Sequence, residues 1–122
     1  MMKENFLIKI GLTMDIHKKK EKDFLVITVK GRLDALTAPD LEKDLLETIA
    51  GGELRLLLDF SDLQYISSAG LRSLLLLAKK LKSAQGEILF SSLQGPVAEV
   101  FKISGFYSIF KIFDSLQDAY QN

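Results

Sequence analysis

The sequence alternates between short apolar runs and longer segments in which apolar residues recur at helical spacing. The runs Phe24–Val29 and Leu54–Phe60 contain few polar residues, which is typical of central strands covered on both faces. Residues Thr13–His17 alternate polar and apolar side chains, which indicates a strand with one face in water. Two further strands are predicted at Glu87–Ser92 and Ile109–Phe113. Glycines fall between these segments, where turns are expected.

The segment after the second predicted strand has the pattern of an amphipathic helix. Its apolar residues recur every four positions and form one stripe, which consists of Leu41, Leu45 and Ile49. Thr37 followed by Asp40 resembles a capping box, with Thr37 as the cap. Pro39 is acceptable in the first turn because the N–H groups there have no intrahelical partner to lose.

The second helical segment follows two adjacent serines, Ser67 and Ser68. On a wheel of about 100° per residue, one broad arc faces inward and consists of Leu71, Leu74, Leu75, Ala78 and Leu81. Leu76 falls outside this arc, between Arg72 and Lys80, so we expect it to be at least partly exposed. An exposed leucine there is either an isolated surface residue, which needs no function, or a contact for a partner.

The remaining elements complete an α/β pattern. A third helix is predicted from about Pro96 to Ile103, and a short fourth around Leu116–Tyr120. The inward residues of the third are Val97, Val100 and Phe101. This order favours a mixed, mostly parallel sheet of about five strands with about four helices packed against it. Residues 13–122 are expected to form one domain, and residues 1–12 an N-terminal extension that is either an extra strand or an arm.

Charge and composition argue against several classes of function. Lys plus Arg and Asp plus Glu both number 16, so the chain has no net charge to attract nucleic acid. It has no cysteine, which excludes disulfides and thiolate-bound metals. The apolar stretch Asn5–Leu12 is interrupted by Lys9 and is far shorter than the roughly 20 residues that span a bilayer. We therefore expect a cytoplasmic protein with no membrane insertion and no direct nucleic-acid binding.

The candidate catalytic groups do not combine into an active-site pattern. His17 is the sole histidine and lies beside three lysines on a predicted edge strand, where a solvated imidazole is expected. Ser67 and Ser68 lack the G-x-S-x-G pattern, and the glycines form no phosphate-binding motif. Asp59 and Asp62, at the end of the third predicted strand, are either an acid pair or polar residues of a turn. We expect no enzymatic activity and no cofactor.

The two serines have a structural interpretation of their own. A serine hydroxyl is a good helix N-cap because it accepts a hydrogen bond from a free N–H group of the first turn. Only one of Ser67 and Ser68 can be the cap, so the other hydroxyl is left free at the helix N-terminus. The predicted loop before them, DFSDLQY, follows a central strand, and function tends to collect at the carboxyl edge of such sheets.

Three blocks of the sequence resemble the STAS domain family, specifically its stand-alone anti-sigma factor antagonists. The first block, VKGRLDALTAPDLEKDL from Val29, resembles the region in which a turn links the second strand to the first helix. The second, LLLDFSDLQYISSAGLRSLL from Leu56, resembles the family signature. The third, SSLQGPVAEVFKISGFYSIFKIFDSLQDA from Ser91, is similar to the C-terminal half. The resemblance extends from about Met14 to Ala119.

The resemblance implies where a phosphorylation switch lies. The family's switch serine precedes a small residue and then Gly-Leu, a pattern that falls on Ser68. Ser67 stands where the best-known pattern has aspartate, and it is the alternative phosphoacceptor. Asp34 falls on the family's loop aspartate beside the switch, and a turn residue or a helix cap explains it equally well. The residues expected to contact a partner are Asp34, Ser67, Ser68, Gly70, Arg72 and Leu76.

The resemblance also implies the partners. The unmodified domain is expected to bind an anti-sigma factor, usually also a serine kinase, and so to free a sigma factor for transcription. Phosphorylation would abolish that binding, and a serine phosphatase would restore it. The alternative is a STAS subunit of a membrane lipid-transport or stress-signalling complex without a phospho-switch. Weak homodimerisation and nucleotide binding by the fold itself stay open.

Overall fold

The computed structural model describes residues 5–10 and 14–121, which form one seven-stranded sheet flanked by helices. The strands are β1 (Asn5–Ile10), β2 (Met14–Glu21), β3 (Phe24–Leu33), β4 (Arg55–Asp59), β5 (Leu63–Ile66), β6 (Glu87–Ser91) and β7 (Lys111–Phe113). The helices are α1 (Ala38–Ala50), α2 (Ser68–Ser83), α3 (Gly95–Ile103) and α4 (Leu116–Tyr120), with a 3-10 turn at Phe106–Ser108. None of these helices has the length and apolar content to cross a bilayer.

The sheet is mixed and mostly parallel, as predicted. Its main strand order is β1-β2-β3-β4-β6-β7, and β5 pairs with the last residues of β3. The pairs β1–β2 and β2–β3 are antiparallel, whereas β3–β4, β3–β5, β4–β6 and β6–β7 are parallel. Because the parallel strands end at the same edge, the loops that follow β3 and β5 are brought together there.

The expectation of about five strands is wrong, since the sheet has seven, and the additional strands are β1 and β5. Strand β3 also continues to Leu33 instead of ending at Val29, because its last residues pair with β5. Residues Leu63–Ile66, assigned to a loop in the sequence, form β5 beside the end of β3. Strand β7 begins at Lys111 rather than Ile109, because the Ile109 N–H donates to the Phe106 carbonyl oxygen at 3.1 Å and closes the 3-10 turn. Strands β5 and β7 have only four and three residues, and periodicity carries little signal over such short elements.

The main core lies between the sheet and helices α1 to α3. The predicted stripe of α1 is confirmed, since its three residues, Leu41, Leu45 and Ile49, are all buried. In α3, Val97 and Phe101 are buried and Val100 is half-buried. A smaller cluster on the opposite face of the sheet is covered by α4 and consists of Phe24, Val26, Leu57, Leu89 and Ala119.

The inward face of α2 is rotated from the predicted arc. Leu74 and Leu81 are buried as expected, but Leu75 is 37% exposed and Leu77 is buried in its place. The buried stripe is centred on the line through Gly70, Leu74, Leu77 and Leu81. Gly70 lacks a side chain, so this line of the helix approaches the sheet most closely. The prediction that Leu75 faces inward is therefore wrong, because the wheel did not account for the close approach of α2 to the sheet at Gly70.

Candidate functional site

Two loops meet at the carboxyl edge of the sheet, where β3 and β5 end. Leu33 and Ile66 are register partners in the parallel pair β3–β5, so the segments that follow them start side by side. The backbone N–H of Ser67 donates to the Leu33 carbonyl oxygen at 2.9 Å, which fixes the second segment to the first. Asp34 therefore lies in the same corner of the molecule as Ser67 and Ser68.

The two serines have different roles at the start of α2. Ser67 is the N-cap, with extended backbone and a hydroxyl that accepts a hydrogen bond from the Gly70 N–H at 3.4 Å. Its carbonyl oxygen accepts an intrahelical bond from the Leu71 N–H at 3.0 Å. Ser68 is the first helical residue and is exposed, and its hydroxyl bonds to no residue in the described part of the chain. The free hydroxyl therefore belongs to Ser68.

Asp34 organises the turn that leads into α1. Its Oδ1 accepts hydrogen bonds from the backbone N–H groups of Leu36 at 3.0 Å and Thr37 at 3.1 Å. Desolvation raises the pKa of the Asp34 carboxyl, but the bonds from Thr37 and Leu36 and the charge of Arg32 outweigh it. The pKa of Asp34 consequently lies below its ordinary value, and the carboxylate is charged at neutral pH. A role at the helix start accounts for Asp34, and a partner contact stays a prediction.

The predicted capping box at Thr37 is wrong. Thr37 occupies the N-cap position, but its backbone is helical and its side chain makes no cap hydrogen bond. Its hydroxyl instead donates to the Arg32 carbonyl oxygen at 2.8 Å and accepts the Asp34 N–H at 3.0 Å. The buried Thr37 hydroxyl thus bonds to backbone groups of the preceding turn. The Asp34 carboxylate accepts hydrogen bonds from the N–H groups just before α1.

A cation–π pair that sequence reasoning missed lies beside this corner. The Arg32 guanidinium is 4.1 Å from the centroid of the Tyr65 ring, and Arg32 Nε lies 3.6 Å from Asp34 Oδ2. Arg32 and Tyr65 are register partners in the pair β3–β5. The contact follows from the register of β3 against β5. The sequence pattern assigned the β5 residues to a loop, so it could not predict this contact.

Gly70 lies in the interior rather than on the surface. A Cβ at this position would come within 2.8 Å of Ile66 Cγ1, 2.9 Å of Leu33 Cγ and 3.0 Å of the Leu33 carbonyl oxygen. Close packing of α2 against the ends of β3 and β5 therefore explains the glycine. The expected partner contact at Gly70 does not fit its burial.

Arg72 and Leu76 lie on the exposed side of α2, beside a groove of about 520 Å³ between α1 and α2. Leu76 is 43% exposed, which confirms the expectation that it reaches solvent. Ser73 also lines the groove, and its buried hydroxyl donates to Glu42 Oε1 at 2.9 Å and ties the two helices together. The lining includes Ala69, directly after the free serine, so the groove adjoins the corner described above.

The other candidate groups lie elsewhere. Asp59 is 7% exposed, and its carboxylate accepts hydrogen bonds from the Thr28 hydroxyl at 3.2 Å and the Ser61 N–H at 3.0 Å. Asp62 is exposed in the turn that follows, which fits the turn interpretation of both residues. His17 is the register partner of Thr28, about 16 Å of strand before the end of β3. Among the described residues, no group of three His, Asp or Glu side chains could hold a metal.

The chain is similar to proteins of one family. A family model described as STAS domain matches residues 15–119. A protein of Bordetella bronchiseptica named "Putative anti-sigma factor antagonist BtrV" is 44% identical over 108 residues, which cover 88% of this chain and 90% of that one. The anti-sigma-B factor antagonist of Listeria monocytogenes is 31% identical over 96 residues, 78% of this chain and 83% of that one. The crystal structure of an anti-sigma factor antagonist from Mycobacterium paratuberculosis superposes with a TM-score of 0.81 at 23% identity, over 93% of this chain and 97% of that chain.

Proposed function

The chain belongs to the STAS domain family, and from that premise we propose that it is an anti-sigma factor antagonist. Its unphosphorylated form binds an anti-sigma factor with serine kinase activity, which frees a sigma factor for transcription. Phosphorylation of Ser68 ends the binding, and a serine phosphatase restores it. The class of protein is supported by the relative that is 44% identical over 88% of this chain.

The observation that carries the proposal is the free hydroxyl of Ser68. This side chain is exposed at the first position of α2, whereas the hydroxyl of Ser67 is occupied as the cap. A kinase requires a hydroxyl that it can reach and that need not be released from another bond. Of the two adjacent serines, Ser68 meets both requirements without disturbing the start of α2.

The fold accommodates a phosphate at Ser68. A phosphoserine carries about −1.5 to −2 charges at neutral pH. At the first position of α2 it meets the positive end of the helix dipole, which stabilises an exposed anion by about 0.3–1 kcal/mol. The first turn of α2 contains no acidic residue that would oppose it. Phosphorylation therefore changes the surface of the domain rather than its folding.

The effect of the phosphate falls on the interface with the partner. The added group projects from the corner that holds the charged Asp34 carboxylate and adjoins the groove beside Arg72 and Leu76. A surface that fits the bare corner has to desolvate the phosphate and meets a second negative charge beside Asp34. Each loss of about 1.4 kcal/mol lowers affinity tenfold, so a few disturbed contacts are enough for a switch.

Ser67 stands where the best-known family pattern has aspartate, and its geometry accounts for the exchange. Aspartate and serine are comparable N-caps because both offer an oxygen to the free N–H groups of the first turn. Serine therefore keeps the cap that Ser67 makes to Gly70. It removes one negative charge next to Ser68, so the unmodified corner of this chain is less acidic than the family pattern.

In this role the domain is a kinase substrate and a binding module rather than an enzyme. It acts in the cytoplasm, where sigma factors meet RNA polymerase. Contacts to the anti-sigma factor are assigned to side chains around the switch, of which Asp34 and Ser67 are half-buried and Ser68, Arg72 and Leu76 are exposed.

The test is a phosphorylation assay with the full chain. The protein is incubated with ATP and each candidate anti-sigma kinase encoded in its own genome, and modified sites are mapped by mass spectrometry. We expect one kinase to modify Ser68. The Ser68→Ala variant should escape modification and bind that kinase constitutively, whereas Ser68→Asp should bind poorly.

Ser67→Ala is the matched control, because it removes the neighbouring hydroxyl and leaves the proposed acceptor in place. Undiminished phosphorylation of Ser68→Ala would move the acceptor to Ser67 or to another residue. If no anti-sigma factor binds and a membrane transport ATPase copurifies instead, the chain is a subunit of a membrane complex and the proposal is wrong.

A further inference from the structure

Helix α2 carries an unbalanced charge in a chain whose net charge is zero. All of its charged residues are basic and exposed, and they are Arg72, Lys79, Lys80 and Lys82. None of the four forms an ion pair with any residue that the structure describes. The neighbouring helix α1 differs, since four of its five charged residues are acidic and one of these, Asp44, is paired with Lys18 at 2.8 Å.

Two leucines lie among these basic residues on the outer side of α2. Leu75 is 37% exposed and Leu76 is 43% exposed. Together with Arg72, Lys79 and Lys80 they line a shallow depression of about 520 Å³. We call these five residues the α2 basic surface. Leu76 and Arg72 also line the groove between α1 and α2, so the two depressions share these side chains.

Neither the stability of α2 as a helix nor its packing against the sheet explains this surface. Lysines in the last turn interact favourably with the negative end of the helix dipole, which accounts for Lys80 and Lys82. Arg72 lies near the opposite end, where a cation gains nothing from the dipole. The two leucines are not needed for the inward face, which is already filled along the buried stripe of α2. The combination of cations around an apolar centre requires another cause.

We infer that the α2 basic surface is a docking site for an acidic protein surface with an apolar centre. The inference rests on the proposed function, because it assigns that acidic surface to the anti-sigma factor. Charge complementarity fixes the sign of the partner, and the two half-exposed leucines supply the apolar contact at the middle of the site. Leu75, Lys79 and Lys80 thereby join the contacts expected around the switch.

The site extends the partner's footprint along α2. Lys80 lies about 18 Å along the helix axis from Ser68, at a rise of about 1.5 Å per residue. A phosphate on Ser68 therefore disturbs one end of the contact, while the cations of the last turns remain available. The distant part of the surface adds affinity and association rate, and the Ser68 end decides whether the complex forms.

A protein surface fits this site better than an anionic membrane. A helix that binds membranes inserts a broad apolar face. The broad apolar face of α2 is buried against the sheet, and the outer side offers only two leucines that are less than half exposed. Two such side chains can fill a small pocket of a partner, but they cannot anchor the domain in lipid.

The test is a double charge reversal, Lys79→Glu with Lys80→Glu, in the full chain. Its control is Lys102→Glu with Lys111→Glu, which changes net charge equally at two exposed lysines of α3 and β7. The probe is the purified anti-sigma factor that phosphorylates the wild-type chain, and its affinity is measured over a series of salt concentrations. We expect the α2 variant to lose at least about tenfold in affinity at low salt and to show a weaker salt dependence, while the control keeps wild-type affinity.

Several results would contradict the inference. Wild-type affinity of the α2 variant, together with loss of binding in Ser68→Asp, would overturn the docking site and leave the proposed function intact. Equal losses of affinity in both double variants would show that the change in net charge, and not the α2 basic surface, causes the effect. If no anti-sigma factor binds the wild-type chain, the proposed function fails, and the docking site fails with it.

The membrane alternative is tested with vesicles of phosphatidylcholine with and without phosphatidylserine. Binding of the wild-type chain to the acidic vesicles alone, lost in the α2 variant while affinity for the anti-sigma factor is unchanged, would assign the surface to lipid. Circular dichroism of each variant checks that the fold is retained. The apolar contact of Leu75 is tested separately in Leu75→Ser, which is expected to weaken binding without changing the salt dependence.

Discussion

The backbone N–H of Ser67 donates to the carbonyl oxygen of Leu33 at 2.9 Å and so joins the end of β3 to the start of α2. This single bond links the turn organised by Asp34 to the helix that begins at Ser68. A phosphate or a partner at one of these two loops therefore acts on a surface that the other loop helps to form. The parallel pairing of β3 with β5 places the two loops at the same end of the sheet.

Substitution of Gly70 is expected to destabilise the fold. The new Cβ would meet Ile66 and the Leu33 backbone at 2.8–3.0 Å, and overpacking of this kind typically costs about 1–3 kcal/mol. Gly70→Ala should lower the free energy of unfolding in urea, and Gly70→Val should lower it further. Gly51→Ala is the control, because its Cβ would have ordinary contacts of 3.5 Å. A Gly70→Ala protein as stable as the wild type would show that α2 can move away from the sheet.

Leu75 and Leu77 are expected to respond differently to truncation, although they are near neighbours in sequence. Leu77 is fully buried, so Leu77→Ala should lower the free energy of unfolding by about 2–5 kcal/mol. Leu75 is 37% exposed, so Leu75→Ala should lower the free energy of unfolding much less. Chemical denaturation of the two variants measures the difference, and a larger loss for Leu75→Ala than for Leu77→Ala would mean that Leu75, rather than Leu77, faces the core.

Much of this architecture could be predicted from the sequence, because long periodic segments are governed by burial. The stripe of α1 at Leu41, Leu45 and Ile49 follows directly from its spacing and is buried as expected. The face of α2 could not be predicted equally well, because a run of leucines is ambiguous on a wheel and Gly70 decided which line of the helix meets the sheet.

The site was only partly predictable for a similar reason. The two serines at the start of α2 follow from capping chemistry, but the sequence could not say which of them is the cap. The contact of Arg32 with Tyr65 depends on the pairing of β3 with β5, which is a tertiary relationship between two short segments. The Thr37 hydroxyl had two chemically equivalent uses, and only the geometry of the turn at Asp34 decided between them.

Stability at acid pH is expected to depend on Asp34. Its pKa is lower in the folded chain than its ordinary value of 3.8, so the charged form stabilises the fold above that value. This contribution should be lost as the pH falls from about 4 through the folded-state pKa of the carboxyl. Urea unfolding at a series of pH values should show a shallower acid limb for Asp34→Asn, which keeps a hydrogen-bond acceptor for the turn. An unchanged limb would mean that other carboxylates govern acid stability.

Removal of residues 1–11 is expected to expose the edge of the sheet. Strand β1 pairs along the outer side of β2, from Asn5 opposite Lys19 to Ile10 opposite Met14. Without β1, the outward N–H and C=O groups of β2 are left unpaired and can recruit another chain. The truncated protein should melt at a lower temperature or associate, as measured by thermal denaturation and by light scattering after gel filtration. Unchanged melting and mass would show that β1 adds little to the domain.

The two serines should also be distinguishable in the isolated protein, without kinase or partner. Ser67 caps α2 through a bond of 3.4 Å to the Gly70 N–H, and loss of an N-cap typically costs about 0.5–2 kcal/mol. Because this bond is long, Ser67→Ala should lie near the lower end of that range. Ser68 has no such bond and occupies a helical position, where alanine is the better helix former.

Ser68→Ala should therefore leave the free energy of unfolding unchanged or raise it slightly, and Ser67→Asp should restore the cap lost in Ser67→Ala. Urea denaturation of the three variants measures all of these differences. The opposite order, with Ser68→Ala the less stable protein, would make Ser68 the cap and Ser67 the free hydroxyl. The phosphoacceptor would then have to be reassigned to Ser67, because the argument for Ser68 depends on its hydroxyl being free.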